Sequence, residues 1–216
     1  MAVARVSRSI SFRPPHADSA ITPATAPAVT QAQNRFSIAT LGCKVNTFES
    51  EVIARELTER HYSRVPPNAP ADLCLINTCT VTAEADRQAR QLVRRMVRNN
   101  PNARVVVTGC YAQMAPQACA AIPGVDLVVG NGGKLDIPAL LDKLDAGESP
   151  PADGGAGGAG RESGLPRRLI SGVEGRVRAF VQIQQGCDRG CTFCIIHKAR
   201  GPNRSFPAAM IRHQVA

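Results

Sequence analysis

From residue 36 onward, short apolar runs alternate with longer amphipathic stretches. Residues 36–40, 73–76, 104–107 and 126–129 read as brief, fully buried strands. Between them apolar side chains recur at helical spacing: Val52, Ile53 and Leu57, then Ala85, Ala89, Leu92 and Met96, then Ile137, Leu140, Leu141 and Leu144. The second stripe predicts a helix over 82–99, stopped by Pro101, and Pro116 suits the first turn of a short helix. Asn46 followed by Glu49 predicts a capping box opening the first helix. Short strands separated by helices imply βαβ units. With right-handed crossovers these build an α/β, doubly wound parallel sheet over residues 36–145.

Composition changes the picture at the flanks. Residues 1–35 are rich in Ala, Pro, Ser and Thr, too poor in apolar surface to offset ordering entropy, and read as a disordered tail. Their Arg-rich, acid-poor bias resembles a transit peptide, although a neutral extension or an early start codon is the favoured reading. Residues 146–176 hold a Gly-Ala repeat and read as a flexible linker. A further strand is expected at 178–183, ending at Gly186 and Cys187. Over the 216 residues, 44% hydrophobic and 20% charged content excludes wholesale disorder. No apolar run is long enough to span a membrane. Eight cysteines without a secretory leader argue for thiol ligands in a reducing, cytoplasmic compartment rather than for disulfides. The net charge of +9 favours a polyanionic partner such as nucleic acid.

The candidate chemistry lies in two cysteine sets. Cys43, Cys79 and Cys110 are separated by gaps of roughly thirty residues, the length of one βαβ repeat, and each follows a predicted strand. In a parallel sheet those strand ends share one edge, where open α/β folds bind ligands. Structural zinc wants a fourth protein ligand, which only His61 could offer. An iron–sulfur cluster on three cysteines, one iron left open, suits the set better. Cys74, within a strand, and Cys119, on a helix, read as packing residues. The second set is Cys187, Cys191 and Cys194, a C-x3-C-x2-C loop compact enough to wrap one cubane, with Gly186 and Gly190 easing the turn.

That loop, with Phe193 before its last cysteine, resembles the signature of the radical S-adenosylmethionine enzymes. The upstream motifs sharpen the likeness: Leu-Gly-Cys-Lys-Val-Asn ending at Asn46, Asn-Thr-Cys-Thr-Val-Thr ending at Thr82, Thr-Gly-Cys-Tyr-Ala-Gln ending at Gln113, and Asn131 with Lys134. Together they resemble the methylthiotransferases, and the first is similar to the branch acting on N6-threonylcarbamoyladenosine of tRNA. The resemblance implies an auxiliary [4Fe–4S] cluster on Cys43, Cys79 and Cys110. It implies a second [4Fe–4S] cluster on Cys187, Cys191 and Cys194, which cleaves S-adenosylmethionine to a 5′-deoxyadenosyl radical, with Phe193 on the adenine side of the cofactor. It further implies methylthio insertion at C2 of the modified adenosine 37, beside the anticodon, and residues 177–216 as the start of a radical-enzyme (β/α) barrel. Alternatives are the isopentenyladenosine and ribosomal-protein branches, or a non-catalytic metal-binding RNA module.

Two departures stand out. The family continues with Pro after the cluster loop, where this chain has His197, Lys198 and Ala199 before Arg200 and Gly201. A solvated loop is expected for His197. A complete (β/α)8 barrel needs about 200 residues, far more than follow residue 177, so a truncated chain, inactive alone, is expected. Arg87, Arg90, Arg94, Arg95 and Arg98 crowd the second helix and suit either phosphate contact or a solvated face.

Overall fold

A computed structural model of the chain describes residues 34–147 and 180–215. The expected tail and linker lie outside the described residues, apart from Asn34, Arg35, Ala146 and Gly147 at their edges. Strands β1 (Arg35–Thr40), β2 (Ser63–Arg64), β3 (Leu73–Thr78), β4 (Arg104–Gly109) and β5 (Leu127–Val129) form one sheet in the order β2-β1-β3-β4-β5. Every pairing in it is parallel. Helices α1 (Lys44–Glu59), α2 (Ala83–Asn99), α3 (Cys110–Met114), α4 (Pro116–Ala120) and α5 (Ile137–Asp145) connect the strands.

The pleat explains why the strands read as unbroken apolar runs. Along β3, Cys74 and Ile76 face a core shared with Leu92, Val93 and Met96 of α2, Tyr111 of α3 and Cys119 of α4. Leu73 and Leu75 face the opposite core, with Ile53 and Leu57 of α1 and Ile137 and Leu141 of α5. A parallel sheet covered on both faces buries every side chain, so period-two alternation disappears. The doubly wound α/β reading therefore holds. The packing reading of Cys74 and Cys119 fits as well: both are fully buried, and Ser37 donates a hydrogen bond to the Cys74 sulfur. Burial pushes the Cys119 thiol up to about 12, with Asp86 adding to the effect.

Local signals were met unevenly. Helix α2 begins within one residue of the expected start, and Thr82 caps it, its hydroxyl accepting from the Ala85 N–H at 3.1 Å. The capping box at Asn46 and Glu49 is overturned: Cys43 is the N-cap, both residues lie inside α1, and their side chains turn inward. Edge strand β2 and helix α3 are too short to announce themselves in the sequence pattern.

Downstream, the expected strand at 178–183 is also corrected. Among the described residues, strand β6 (Gln184–Gln185) pairs antiparallel with β7 (Arg204–Ser205), and residues 180–183 are not strand. A first barrel strand needs a parallel neighbour, and none is present among the described residues. Helix α6 (Ile196–Arg200) occupies the stretch expected as a loop, so His197 is a half-buried helical residue; α7 (Ala208–Val215) follows β7.

Candidate metal centre at the carboxyl edge of the sheet

Strand order alone selects one place on this sheet. The chain leaves β1 through α1 toward one edge and later leaves β3 through α2 toward the other, on the opposite face. The loops after β1 and β3 therefore diverge and open a crevice, the usual ligand position of doubly wound folds. Cys43 follows β1 and Cys79 follows β3. Cys110 follows β4, and its predecessor Gly109 is the register partner of Thr78, which precedes Cys79.

Two glycines let these loops close on one another. Gly42 has φ +95°, and a Cβ there would lie 2.8 Å from both the Cβ and the sulfur of Cys79. Gly109 has φ +99°, and its Cβ would collide with the backbone of Thr78. Only glycine tolerates both the conformation and the approach. Cys79 and Cys110 are buried, while Cys43 is exposed at the rim. Among the described residues, no three His, Cys, Asp or Glu side chains converge tightly enough to hold a single metal ion. The contacts instead frame a shared edge. Three thiols at one sheet edge are soft donors, the kind that both iron–sulfur groups and zinc take.

Beneath the edge lies a buried polar network. Asn46 Nδ2 donates to the carbonyls of Leu41 (2.8 Å) and Thr78 (3.0 Å), tying the first two cysteine loops together. Asn77 Nδ2 donates to the Asn46 carbonyl and the Ser50 hydroxyl, both at 2.9 Å. Glu49, 4% exposed, accepts from Lys134 Nζ at 2.7 Å and from Arg200 Nη1 and Nη2 at 2.7 and 3.1 Å. Arg200 Nη2 also donates to Asn46 Oδ1 at 2.6 Å. Asn131 Nδ2 joins the segments again, donating to the Ala199 carbonyl at 2.7 Å and to the Cys110 sulfur at 3.5 Å.

Burial would raise the Glu49 carboxyl, but the charges of Lys134 and Arg200 outweigh it and hold the group down to about 2. Burial drives the Lys134 ammonium down, against the pull of Glu49. For Arg200, burial is opposed and exceeded by Glu49, with Cys110 and Cys43 adding to the upward shift. The buried charge network of Glu49, Lys134 and Arg200 was not read from the sequence, although Glu49, Asn131 and Lys134 stood within the family-like motif and Arg200 at its Arg-Gly pair.

The second cysteine set sits in a loop beside the first domain. The Cys194 N–H donates to the Cys191 carbonyl, and the Cys187 N–H to the Gly201 carbonyl, each at 3.1 Å. Gly186, φ +79°, is pressed against the backbone of Pro202. Cys191 is exposed, and Cys187 and Cys194 are half-buried. Phe193 is 91% exposed. A cleft of about 490 Å³ separates this loop from the start of α2, lined by Cys191, Phe193, Cys194 and His197 on one side and by Val81 and Asp86 on the other. His197 Nδ1 and Asp86 Oδ1 are buried there without a hydrogen-bond partner.

The arginines of α2 divide into two groups. Arg87 is engaged by Glu84 at 2.6 Å, and Arg90 donates to the Tyr111 hydroxyl at 3.2 Å while lying over its ring. Arg94, Arg95 and Arg98 are exposed.

Comparison with known proteins agrees with this architecture. The profile of "Uncharacterized protein family UPF0004" matches residues 35–130, from β1 past the end of β5. The sheet is thus a UPF0004 domain. The threonylcarbamoyladenosine tRNA methylthiotransferase MtaB of Bacillus subtilis is 41% identical over 77% of the chain and 36% of its own length. That of Aquifex aeolicus is 39% identical over 84% of the chain and 44% of its own length. The tRNA-2-methylthio-N(6)-dimethylallyladenosine synthase of Pelotomaculum thermopropionicum is 33% identical over 84% of the chain and 41% of its own length. Over most of its length the chain is similar to these tRNA methylthiotransferases, with the higher identity to the threonylcarbamoyladenosine enzymes. It spans less than half the length of these curated relatives.

Proposed function

We propose that this chain carries the two cluster-binding segments of a tRNA methylthiotransferase that inserts a methylthio group at C2 of N6-threonylcarbamoyladenosine 37. In this reading Cys43, Cys79 and Cys110 hold an auxiliary [4Fe–4S] cluster, and Cys187, Cys191 and Cys194 hold the [4Fe–4S] cluster that receives S-adenosylmethionine. Those groups would supply the radical and the sulfur, because an aromatic C–H offers no purchase to acid–base side chains.

The chain's own residues do the holding and orienting. Gly42 and Gly109 allow the three upstream loops to meet, and Asn46 and Asn77 fix them by hydrogen bonds. Arg200 and Asn131 set the downstream loop against that edge. The cleft between α2 and the downstream loop would receive the cofactor and the target nucleoside, with Phe193 and Val81 offering apolar surface. Arg94, Arg95 and Arg98 would meet the phosphates of the tRNA anticodon arm. Domain organisation follows the same reading, with residues 36–145 as the auxiliary domain and 177–216 as the start of the radical-enzyme domain. A reducing cytoplasmic setting suits the thiols, and among the described residues no helix is long and apolar enough to cross a membrane.

The observation that carries the proposal is the meeting of three strand-end cysteine loops at the sheet's switch point, with a compact second cysteine loop docked beside them. Nucleoside analysis of tRNA from a strain lacking the gene tests it. Loss of the methylthio group from threonylcarbamoyladenosine is expected. Loss from dimethylallyladenosine instead, or no change in tRNA, refutes the assignment. Anaerobic iron and sulfide analysis of the chain should find about eight irons, whereas stoichiometric zinc would favour a metal-stabilised RNA module.

A further inference from the structure

The polar network under the cysteine edge is not electrically balanced. It holds two cations, Lys134 at 1% and Arg200 at 3% exposure, and one anion, Glu49. Glu49 is the only acidic residue among the buried polar side chains described. The trio therefore carries one excess positive charge out of water, which is costly unless an anion lies close by. The hydrogen bonding is incomplete in the same sense: Arg200 uses Nη1 and Nη2 on Glu49 and Asn46, while its Nε–H is buried without an acceptor. Asn131 places the residue before Arg200 against the Cys110 sulfur, donating to the Ala199 carbonyl and to that sulfur from one amide nitrogen. Both cations also donate to Asn46 Oδ1, three residues after Cys43, Lys134 Nζ at 3.5 Å and Arg200 Nη2 at 2.6 Å.

We propose that Arg200, reaching across from the downstream segment, and Lys134 supply the fixed counter-charge for an anionic iron–sulfur group on Cys43, Cys79 and Cys110, so that α6 completes the upstream site. Glu49 is the positioning residue that holds both cations, and Arg200 is the one that presents an unused N–H. The upstream cluster then belongs to both segments. Its electron affinity depends on a residue that follows the second cysteine set by only six positions. The sign is fixed by electrostatics: a nearby positive charge stabilises the more negative, reduced state, so its removal makes reduction harder. This inference rests on the cluster reading of the upstream cysteines.

The test uses the full chain carrying Cys187→Ala, Cys191→Ala and Cys194→Ala, loaded anaerobically with ferrous iron and sulfide. Iron and sulfide content and a mediated redox titration are measured for this parent and for Arg200→Met and Arg200→Lys. The parent should bind about four irons. Arg200→Met should show at least a tenfold lower reduced-to-oxidised ratio at a fixed potential, equivalent to 59 mV for a one-electron couple. Arg200→Lys, which keeps the charge, should recover most of that ratio. Lys134→Met provides a second variant should Arg200→Met not fold, and it should shift the ratio in the same direction. Unchanged iron content and an unchanged redox ratio in the Met variants overturn the counter-charge while leaving the cluster reading standing. A parent that takes up no iron overturns both.

Discussion

Replacing Glu49 by Gln is the most demanding perturbation of the structure, because one uncharged atom swap strands two buried cations. Glu49 accepts from Lys134 at 2.7 Å and from both terminal nitrogens of Arg200, and all three side chains are at most 5% exposed. The substitution keeps volume and shape, so no cavity forms. It raises the buried net charge by one unit and points an amide N–H at a cationic donor. Removing one partner of a buried ion pair costs about 3–5 kcal/mol, against a total of about 5–15 kcal/mol for a domain. With a urea m-value of about 2 kcal/mol/M, the unfolding midpoint should fall by about 2 M. Arg200→Met should cost less, since it leaves the Lys134–Glu49 pair balanced. Tryptic cleavage after Arg200 adds a local readout: the side chain is 3% exposed in the native chain, and Glu49→Gln should speed the cut by freeing α6. A midpoint shift under about 0.5 M with unchanged cleavage would show that the network carries little stability, and the reasoning would fail.

Other expectations follow from the same geometry. Glu49 is held down to about 2, so its contribution is complete above the unfolded carboxyl value and is lost as pH falls from about 4.5 toward 2. Urea midpoints across that window should reveal about 3 kcal/mol that is absent in Glu49→Gln. Gly42→Ala forces a side chain onto φ +95° and against Cys79; it should destabilise the fold by about 1–2 kcal/mol from backbone strain alone and lower iron uptake, as judged by melting and iron assay. Changing Arg94, Arg95 and Arg98 to Gln should weaken tRNA binding in a filter assay and reduce the slope of affinity against salt by about one unit per residue, while melting stays unchanged. Iodoacetamide should modify exposed Cys191 well before Cys119, which is fully buried with its thiol pushed up to about 12; mass spectrometry of the native chain would expose the reverse order.

The parts of this protein written in local pattern were readable without coordinates. Strand after strand appeared as an apolar run because a parallel sheet covered on both faces makes no use of alternation, and α2 was legible from the apolar stripe of Ala89, Leu92 and Met96, which packs on one face of that sheet. The two cysteine sets stood out in the sequence as well, one through its repeat spacing and the other through its compactness, and the fold places the first set after three neighbouring strands. Tertiary structure decided what lies beneath them. Glu49 looked like a capping residue, yet it meets Lys134 and Arg200 at sequence separations of 85 and 151. Edge strand β2 spans two residues and exists only because β1 offers it a backbone ladder. The stretch around His197 became a helix where a loop was expected, and it docks through the Ala199 carbonyl and Arg200 rather than through any signal of its own. Periodicity and capping act over a few residues and leave a trace in the sequence. The worth of a buried charge depends on which distant partners the fold brings to it, and a linear pattern holds no record of that.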